Sequence, residues 1–320
     1  MSSPAPPAVP QPSLHRPDRP LLGMALRLLA MLFLTSMFAL GKVVADRHVT
    51  LVETVFYRQL FAMPVVFAFI VARDGPGAIR TNRIGKHGLR AMMGLLGLAC
   101  NFGGFILLPL TEATIIGFTM PMFATILAAI VLKEATGIHR WSAILVGFAG
   151  ILVIARPDAG HFAPFGVAVA LSAAFLTACI SLVIRDLGRT ESPGVIVFWF
   201  TALSLPPLGL LMPFFGQGHD AVTWGLLVLT GVVGALAQLL MTAALRYAPV
   251  SVVLGMDYSS ILWATLLGFL LWGEWPMVTT WAGAVMIISA GAYIGWREHV
   301  RSRRPTIINS EVPPPAQSGR

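Results

Sequence analysis

Ten long apolar runs decide what this chain can fold into. They lie near residues 21–44, 50–72, 88–109, 110–132, 138–155, 163–184, 193–213, 221–244, 248–272 and 276–296. A helix rises about 1.5 Å per residue and the hydrocarbon core of a bilayer is about 30 Å thick, so about 20 apolar residues suffice to cross it. The runs are continuously apolar rather than alternating, which favours helices over a barrel, and a helix satisfies its backbone polar groups within the segment. Only 11% of the residues are charged and 56% are hydrophobic, against roughly 25% charged in a soluble domain. The expected fold class is therefore an all-α polytopic membrane protein with ten transmembrane helices.

The formal charge of +8 would point to nucleic acid in a soluble protein, but its distribution assigns it to topology. With the N-terminus inside, alternate connections place eighteen basic residues on the inner side, among them Arg27, Arg90, Lys133 and Arg140, and three outside, Lys42, Arg47 and Arg156. Such a bias puts both termini in the cytoplasm. Residues 1–20 and 297–320 are polar and proline-containing, the second basic as well, and are expected to be cytoplasmic tails, the first of them disordered. The first run is too long for the apolar core of a cleaved signal and no A-x-A site follows it, so it counts as a retained span. Cys100 and Cys179 both fall within apolar runs and read as packing residues rather than a disulfide.

The stretch PLTEATIIGFTMPMFATILAAIVLKEATGIHRW, from Pro109 to Trp141, returns 140 positions later as PVSVVLGMDYSSILWATLLGFLLWGEWPMVTTW. Pro109 is matched by Pro249, Glu134 by Glu274, Trp141 by Trp281, and Gly94 by Gly234. At a spacing of 142, FLTS at 33–36 returns as FLTA at 175–178 and Pro64 as Pro206. Two halves follow, 21–155 and 163–296, each with five spans. Five is odd, so the second half enters the membrane from the opposite face, giving inverted repeats of the kind on which secondary transporters are built.

These residues carry a resemblance. The doubled proline and glutamate frame of 109–134 and 249–274, with FYR at 56–58, resembles the EamA family of the drug/metabolite transporter superfamily, over nearly the whole of 21–296. The resemblance implies two EamA-like five-helix repeats around a central cavity, and transport of small organic metabolites such as amino acids, with export the implied direction. The N-terminal half also looks like the subgroup associated with S-adenosylmethionine uptake, so uptake of a nucleoside-like metabolite is the alternative. The second copy departs from the pattern with Ile261 in place of Pro121, leaving a break in the ninth span open.

Ionisable groups near the bilayer centre cost on the order of 2.5–3.5 kcal/mol on insertion scales, and two stand out. Arg58 lies about 12 Å into the second span and Asp257 about 10 Å into the ninth, at 1.5 Å per residue. Phe200 and Gly117 occupy the equivalent positions of the other half. Arg58 and Asp257 are either two poles of a substrate site or a structural ion pair, and Asp257 is the first candidate for a proton-linked carboxylate. Asn101, Gln238, Tyr258, Thr119 and Trp263 are candidates for a cavity wall, with interhelical bonding or core packing the alternative. Glu53 and Glu112 read as boundary residues. Pro121, Glu134 and Glu274 are structural or gating candidates; a carboxylate at a helix C-terminus needs a partner, and Glu274 has no local cation. Ala143 with Gly147, and Gly291 with Gly295, read as close helix contacts that place the fifth and tenth spans peripherally.

Neither G-x-x-x-x-G-K-[ST] nor H-E-x-x-H nor G-x-S-x-G occurs, which argues against ATP as the energy source and against an enzyme; a non-transporting membrane scaffold is the remaining competitor of another class. The expected partners are a small-molecule substrate and the lipid bilayer, with protons a candidate coupling ion and a homodimer a candidate assembly. No cofactor, metal or nucleic acid is expected. The expected location is the inner (cytoplasmic) membrane.

Overall fold

Apolar runs that can satisfy their backbone only internally become helices, and these helices must then bury what polar side chains they carry against each other. The computed structural model describes residues 20–131, 137–155, 164–247 and 255–302. Among them every regular element is helical: α1 (Pro20–Asp46), α2 (Leu51–Asp74), α3 (Ile84–Leu107), α4 (Leu110–Gly117), α5 (Met120–Val131), α6 (Ile138–Ala155), α7 (Pro164–Leu187), α8 (Pro193–Phe215), α9 (Ala221–Tyr247), α10 (Ser259–Trp272) and α11 (Val278–Ser302). Short 3-10 turns cover Pro76–Ile79 and Met256–Tyr258. Nine of the described segments are long and apolar enough to cross a membrane, with α4 and α5 together making one, and the shorter Met256–Trp272 supplies the tenth crossing.

The ten crossings form two inverted five-helix repeats, and their packing obeys the exchange of one repeat for the other. The first span, α1, packs most extensively on α9, the eighth; the third, α3, packs on α7, the sixth. In the same way α2 pairs with α8, and α6 with α11. Phe118 and Tyr258, which are equivalent at the spacing of 140, pack against one another with tilted rings whose centroids are 4.9 Å apart. A residue meeting its own counterpart marks the pseudo-two-fold axis.

The fourth span is broken at Phe118 and Thr119, between α4 and α5. Pro121 is the second residue of α5, where a missing N–H costs nothing because first-turn donors have no intrahelical acceptor. The ninth span is irregular at the equivalent place, Met256–Tyr258, although it has Ile261 where the fourth has Pro121. The break therefore does not depend on the proline.

The fifth and tenth spans pack closely, as expected, but the closest point is different. A Cβ on Gly150 would lie 2.9 Å from the Gly283 carbonyl oxygen, so these two glycines, rather than Gly291 and Gly295, let the backbones approach. Helix α11 also runs past the expected end of its span at Trp296 to Ser302. Glu134, Lys133 and residues 1–19 of the expected tail 1–20 lie outside the described residues.

Candidate functional site

The α2 helix that carries Arg58 is fixed at its start by a capping box. The Thr50 hydroxyl accepts from the Glu53 backbone N–H at 3.2 Å, and the Glu53 carboxylate accepts from the Thr50 backbone N–H at 3.0 Å, satisfying two first-turn donors reciprocally. The other Glu53 oxygen accepts from the Gln217 backbone N–H at 2.8 Å and contacts His219 Nε2 at 2.9 Å. Glu53 is fully buried, so it is more than a boundary residue: it ties the first half to the loop between α8 and α9.

Asp257 does not meet Arg58. Both of its carboxylate oxygens are taken by Arg27 of α1, with Nε donating to Oδ1 at 2.5 Å and Nη2 to Oδ2 at 2.7 Å. This is the fork-to-fork geometry in which guanidinium and carboxylate pair best. The Arg27 side chain is 7% exposed and that of Asp257 25%. The Arg27 placement at the membrane boundary is thereby corrected: its side chain turns inward and joins the two halves.

A second pair repeats the arrangement at the other end of the same helix. Lys42 Nζ donates to Glu274 Oε1 at 3.1 Å and to the Leu108 carbonyl at 3.0 Å, and lies 4.8 Å from the centre of the Trp272 ring. Glu274 thus has a cation, drawn from 232 residues away. Lys42 is buried rather than lying in an outer loop. Fifteen residues separate Arg27 from Lys42, about 22 Å of helix, so α1 is fastened to the ninth span near both ends. The positions equivalent to Arg27 and Lys42 in α7 are Val169 and Ile184, and the ionic seam has no counterpart there.

Arg58 lies in a narrow pocket between α2 and α3 of one half and α8 and α9 of the other. Its walls are Arg58, Arg90, Phe200, Thr201, Gln238 and short apolar side chains, and they enclose only about 10 Å³, room for about one water. Arg58 Nη1 donates to the neighbouring Gln59 Oε1, and the Arg90 guanidinium sits 4.2 Å from the centre of the Phe200 ring. Of the expected site residues, the structure brings together Arg58 and Gln238. The Asn101 amide is turned back to the Gly97 carbonyl at 2.8 Å, and the Thr119 hydroxyl donates to the Ile116 carbonyl at 2.7 Å; both are spent on their own helices. Tyr258 packs on Phe118 at the axis, and the Trp263 indole N–H is buried with no hydrogen-bond partner among the described residues.

Three functional candidates escaped the sequence reading: Arg27, Lys42 and Arg90. Each was counted with the loops. The signal that could have found them is position, since all three lie inside their apolar runs, 21–44 and 88–109, rather than flanking them, and an interior charge needs a partner or a ligand.

Comparison with known proteins supplies the class. A model of the EamA-like transporter family matches residues 21–156 and 164–296. A riboflavin transporter of Vibrio cholerae serotype O1 is 30% identical over 76% of this chain and 82% of its own length. A pseudopaline exporter of Pseudomonas aeruginosa is 30% identical over 84% of this chain and 94% of its own. An S-adenosylmethionine uptake transporter of Rickettsia prowazekii is 26% identical over 77% and 83%. One solved crystal structure matches with a TM-score of 0.59 at 19% identity, covering 88% of this chain and 98% of that one, which bears on the fold alone.

Proposed function

We propose that this chain, which belongs to the EamA-like transporter family, moves a small organic metabolite across the inner membrane by alternating access, with both termini cytoplasmic. That it is a multi-pass membrane transporter of small metabolites, and not an enzyme, follows from the family and its relatives; mechanism, direction and coupling are our reading. The observation that carries it is the bidentate Arg27–Asp257 pair, which joins α1 of one repeat to the ninth span of the other.

Inverted repeats exchange conformations by rocking one half against the other. For the cavity to open at that end, the Arg27–Asp257 seam must part. A proton or a cationic group arriving at Asp257 competes with Arg27 for the same two oxygens, so an occupied carboxylate and a closed seam exclude each other. A ligand that binds one state better than the other shifts their populations by its differential affinity, and Asp257 is where a proton would have such a difference.

Export of amino acids or related compounds is the direction we carry forward, and the relative named as an exporter favours it. Relatives named for uptake of S-adenosylmethionine favour the second reading, uptake of a nucleoside-like compound. Reconstituted flux decides. Purified protein in liposomes is offered amino acids, nucleosides and cationic metabolites, with and without a pH gradient. Asp257→Asn is expected to abolish the gradient-dependent part of the flux with normal expression; the same flux and pH dependence in the variant would remove Asp257 from coupling.

A further inference from the structure

Among the described residues, the pocket between the halves is lined by two cations and no anion. Arg58 is 4% exposed and Arg90 9%, and no ion pair among the described residues includes either. Arg58 Nε, and Nε and Nη1 of Arg90, are buried with no hydrogen-bond partner among the described residues. Each such donor forgoes water without replacement, at about 1–3 kcal/mol, more for a charged group. Two like charges lining one pocket add repulsion in a medium where screening is weak. The ring of Phe200 beneath Arg90 offsets part of this, about 0.5–2 kcal/mol. Chains do not keep such an arrangement for stability.

The repeat itself makes room for it. A Cβ on Gly94 would come within 2.7 Å of the Phe200 ring and clash with Arg90, and one on Gly234 would lie 3.2 Å from Arg58 Nε. These glycines are the pair matched at the spacing of 140. The guanidinium groups occupy the space that the missing side chains leave.

We propose that Arg58 and Arg90 form a receptor for an oxyanion, a carboxylate or a phosphoryl group, carried on the metabolite that this protein transports. That the anion is cargo rests on the transport reading; that the pocket binds an anion does not. A planar guanidinium presents paired donors matched to either group. Gln238 adds a neutral polar group on the side of the second half, the Thr201 hydroxyl donates to the Val197 carbonyl of its own helix at 3.0 Å, and Phe200 with Val66 presents an apolar wall. The enclosed space is only about 10 Å³, about one water, so an anionic head group enters as the halves part rather than in this closed arrangement.

The test uses benzoate, phenyl phosphate and the neutral benzamide as probes, titrated into full-length purified protein in detergent, with thermal unfolding followed by tryptophan fluorescence. Saturable stabilisation by benzoate or phenyl phosphate is expected, with benzamide at least about tenfold weaker, a difference of 1.4 kcal/mol; which of the two anions binds more tightly assigns the group. Arg58→Gln and Arg90→Gln should each weaken the better anion at least about tenfold, and Arg58→Lys less than Arg58→Gln. A second signature separates a receptor from a structural role: without anion, both glutamine variants should unfold at or above the wild-type temperature, because each removes an uncompensated charge. Equal binding of benzamide, no saturable binding by either anion, or glutamine variants that unfold earlier yet keep wild-type anion affinity would each overturn the proposal. Flux keeps the two readings apart. Anion binding with no flux of any metabolite would leave the receptor standing and remove transport; flux of neutral or cationic metabolites with no anion binding would do the reverse.

Discussion

Four of the buried cations among the described residues, Arg27, Lys42, Arg58 and Arg90, divide into two kinds. Arg27 and Lys42, both on α1, are each met by a carboxylate of the second half, Asp257 at the start of the ninth span and Glu274 just past its end. Arg58 and Arg90, on α2 and α3, share a pocket in which no carboxylate of the described residues meets them. Residue type and burial are alike in the two sets, so neither reveals the role. The difference lies in what completes the charge: in the first set the other half of the protein, and in the second, by our proposal, a ligand. The paired cations hold the halves together, and the unpaired ones give a ligand a reason to come between them.

The largest way to break this contrast is to make a paired cation unpaired. Asp257→Ala leaves Arg27, with a side chain only 7% exposed, without its counter-charge, and about 3 kcal/mol of stability should be lost. The double variant Arg27→Met, Asp257→Leu should recover most of that, since replacing both partners by apolar groups is often neutral. Thermal or denaturant unfolding in detergent measures both. A single variant as stable as wild type would show that Arg27 finds water or another acceptor, and the two kinds of cation would no longer differ.

A smaller effect is expected at the other end of α1. Lys42→Met removes the partner of Glu274, but the Glu274 side chain is 32% exposed and water can solvate it, so about 1 kcal/mol is expected, the upper end for pairs open to solvent. A loss equal to that at Asp257 would mean that Glu274 is more enclosed than its exposure implies.

The sequence made the spans and the repeat legible because hydropathy and periodicity are local. Arg58 and Asp257 were legible as anomalies for the same reason: a charge deep in an apolar run stands out whatever surrounds it. Their partners were not, because pairing depends on which helix faces which. Arg27 is 230 residues from Asp257, and a basic residue near one end of a run reads alike whether it turns toward the membrane surface or into the bundle. Lys42 and Arg90 were hidden in the same way, and Glu53 was read as a boundary residue although the second half supplies two of its partners. The irregular ninth span was ambiguous on a different ground. Pro121 advertised the break in its own copy, while the matching turn at Met256–Tyr258 forms without any such residue.

The glycines test the unpaired set more gently. Gly94→Ala should push a methyl group toward Phe200 and Arg90, and Gly234→Ala toward Met37 and Arg58. Each should weaken benzoate or phenyl phosphate several-fold while leaving the pairs of α1 intact. Unchanged anion affinity in both variants would mean that the guanidinium positions do not depend on the space these residues leave.

The smallest effect is expected where a charge pair meets open water. Asp220 precedes α9, and its carboxylate accepts from the Thr223 hydroxyl. That hydrogen bond, with the nearby Arg47 charge, holds its carboxyl below the ordinary value of 3.8. A carboxyl lowered in the folded state contributes stability that is fully present above its unfolded value and is lost as the pH falls through the folded one. Asparagine caps a helix start about as well as aspartate, so Asp220→Asn removes the charge and little else. The variant should unfold slightly earlier than wild type at pH 7, and the gap should close as the pH falls below about 4. A gap that stays constant down to pH 3 would assign the difference to the cap geometry instead. A closing gap would mean that the Asp220 charge itself contributes even where solvent screens it, setting the lower end of a scale whose upper end is Arg27 with Asp257.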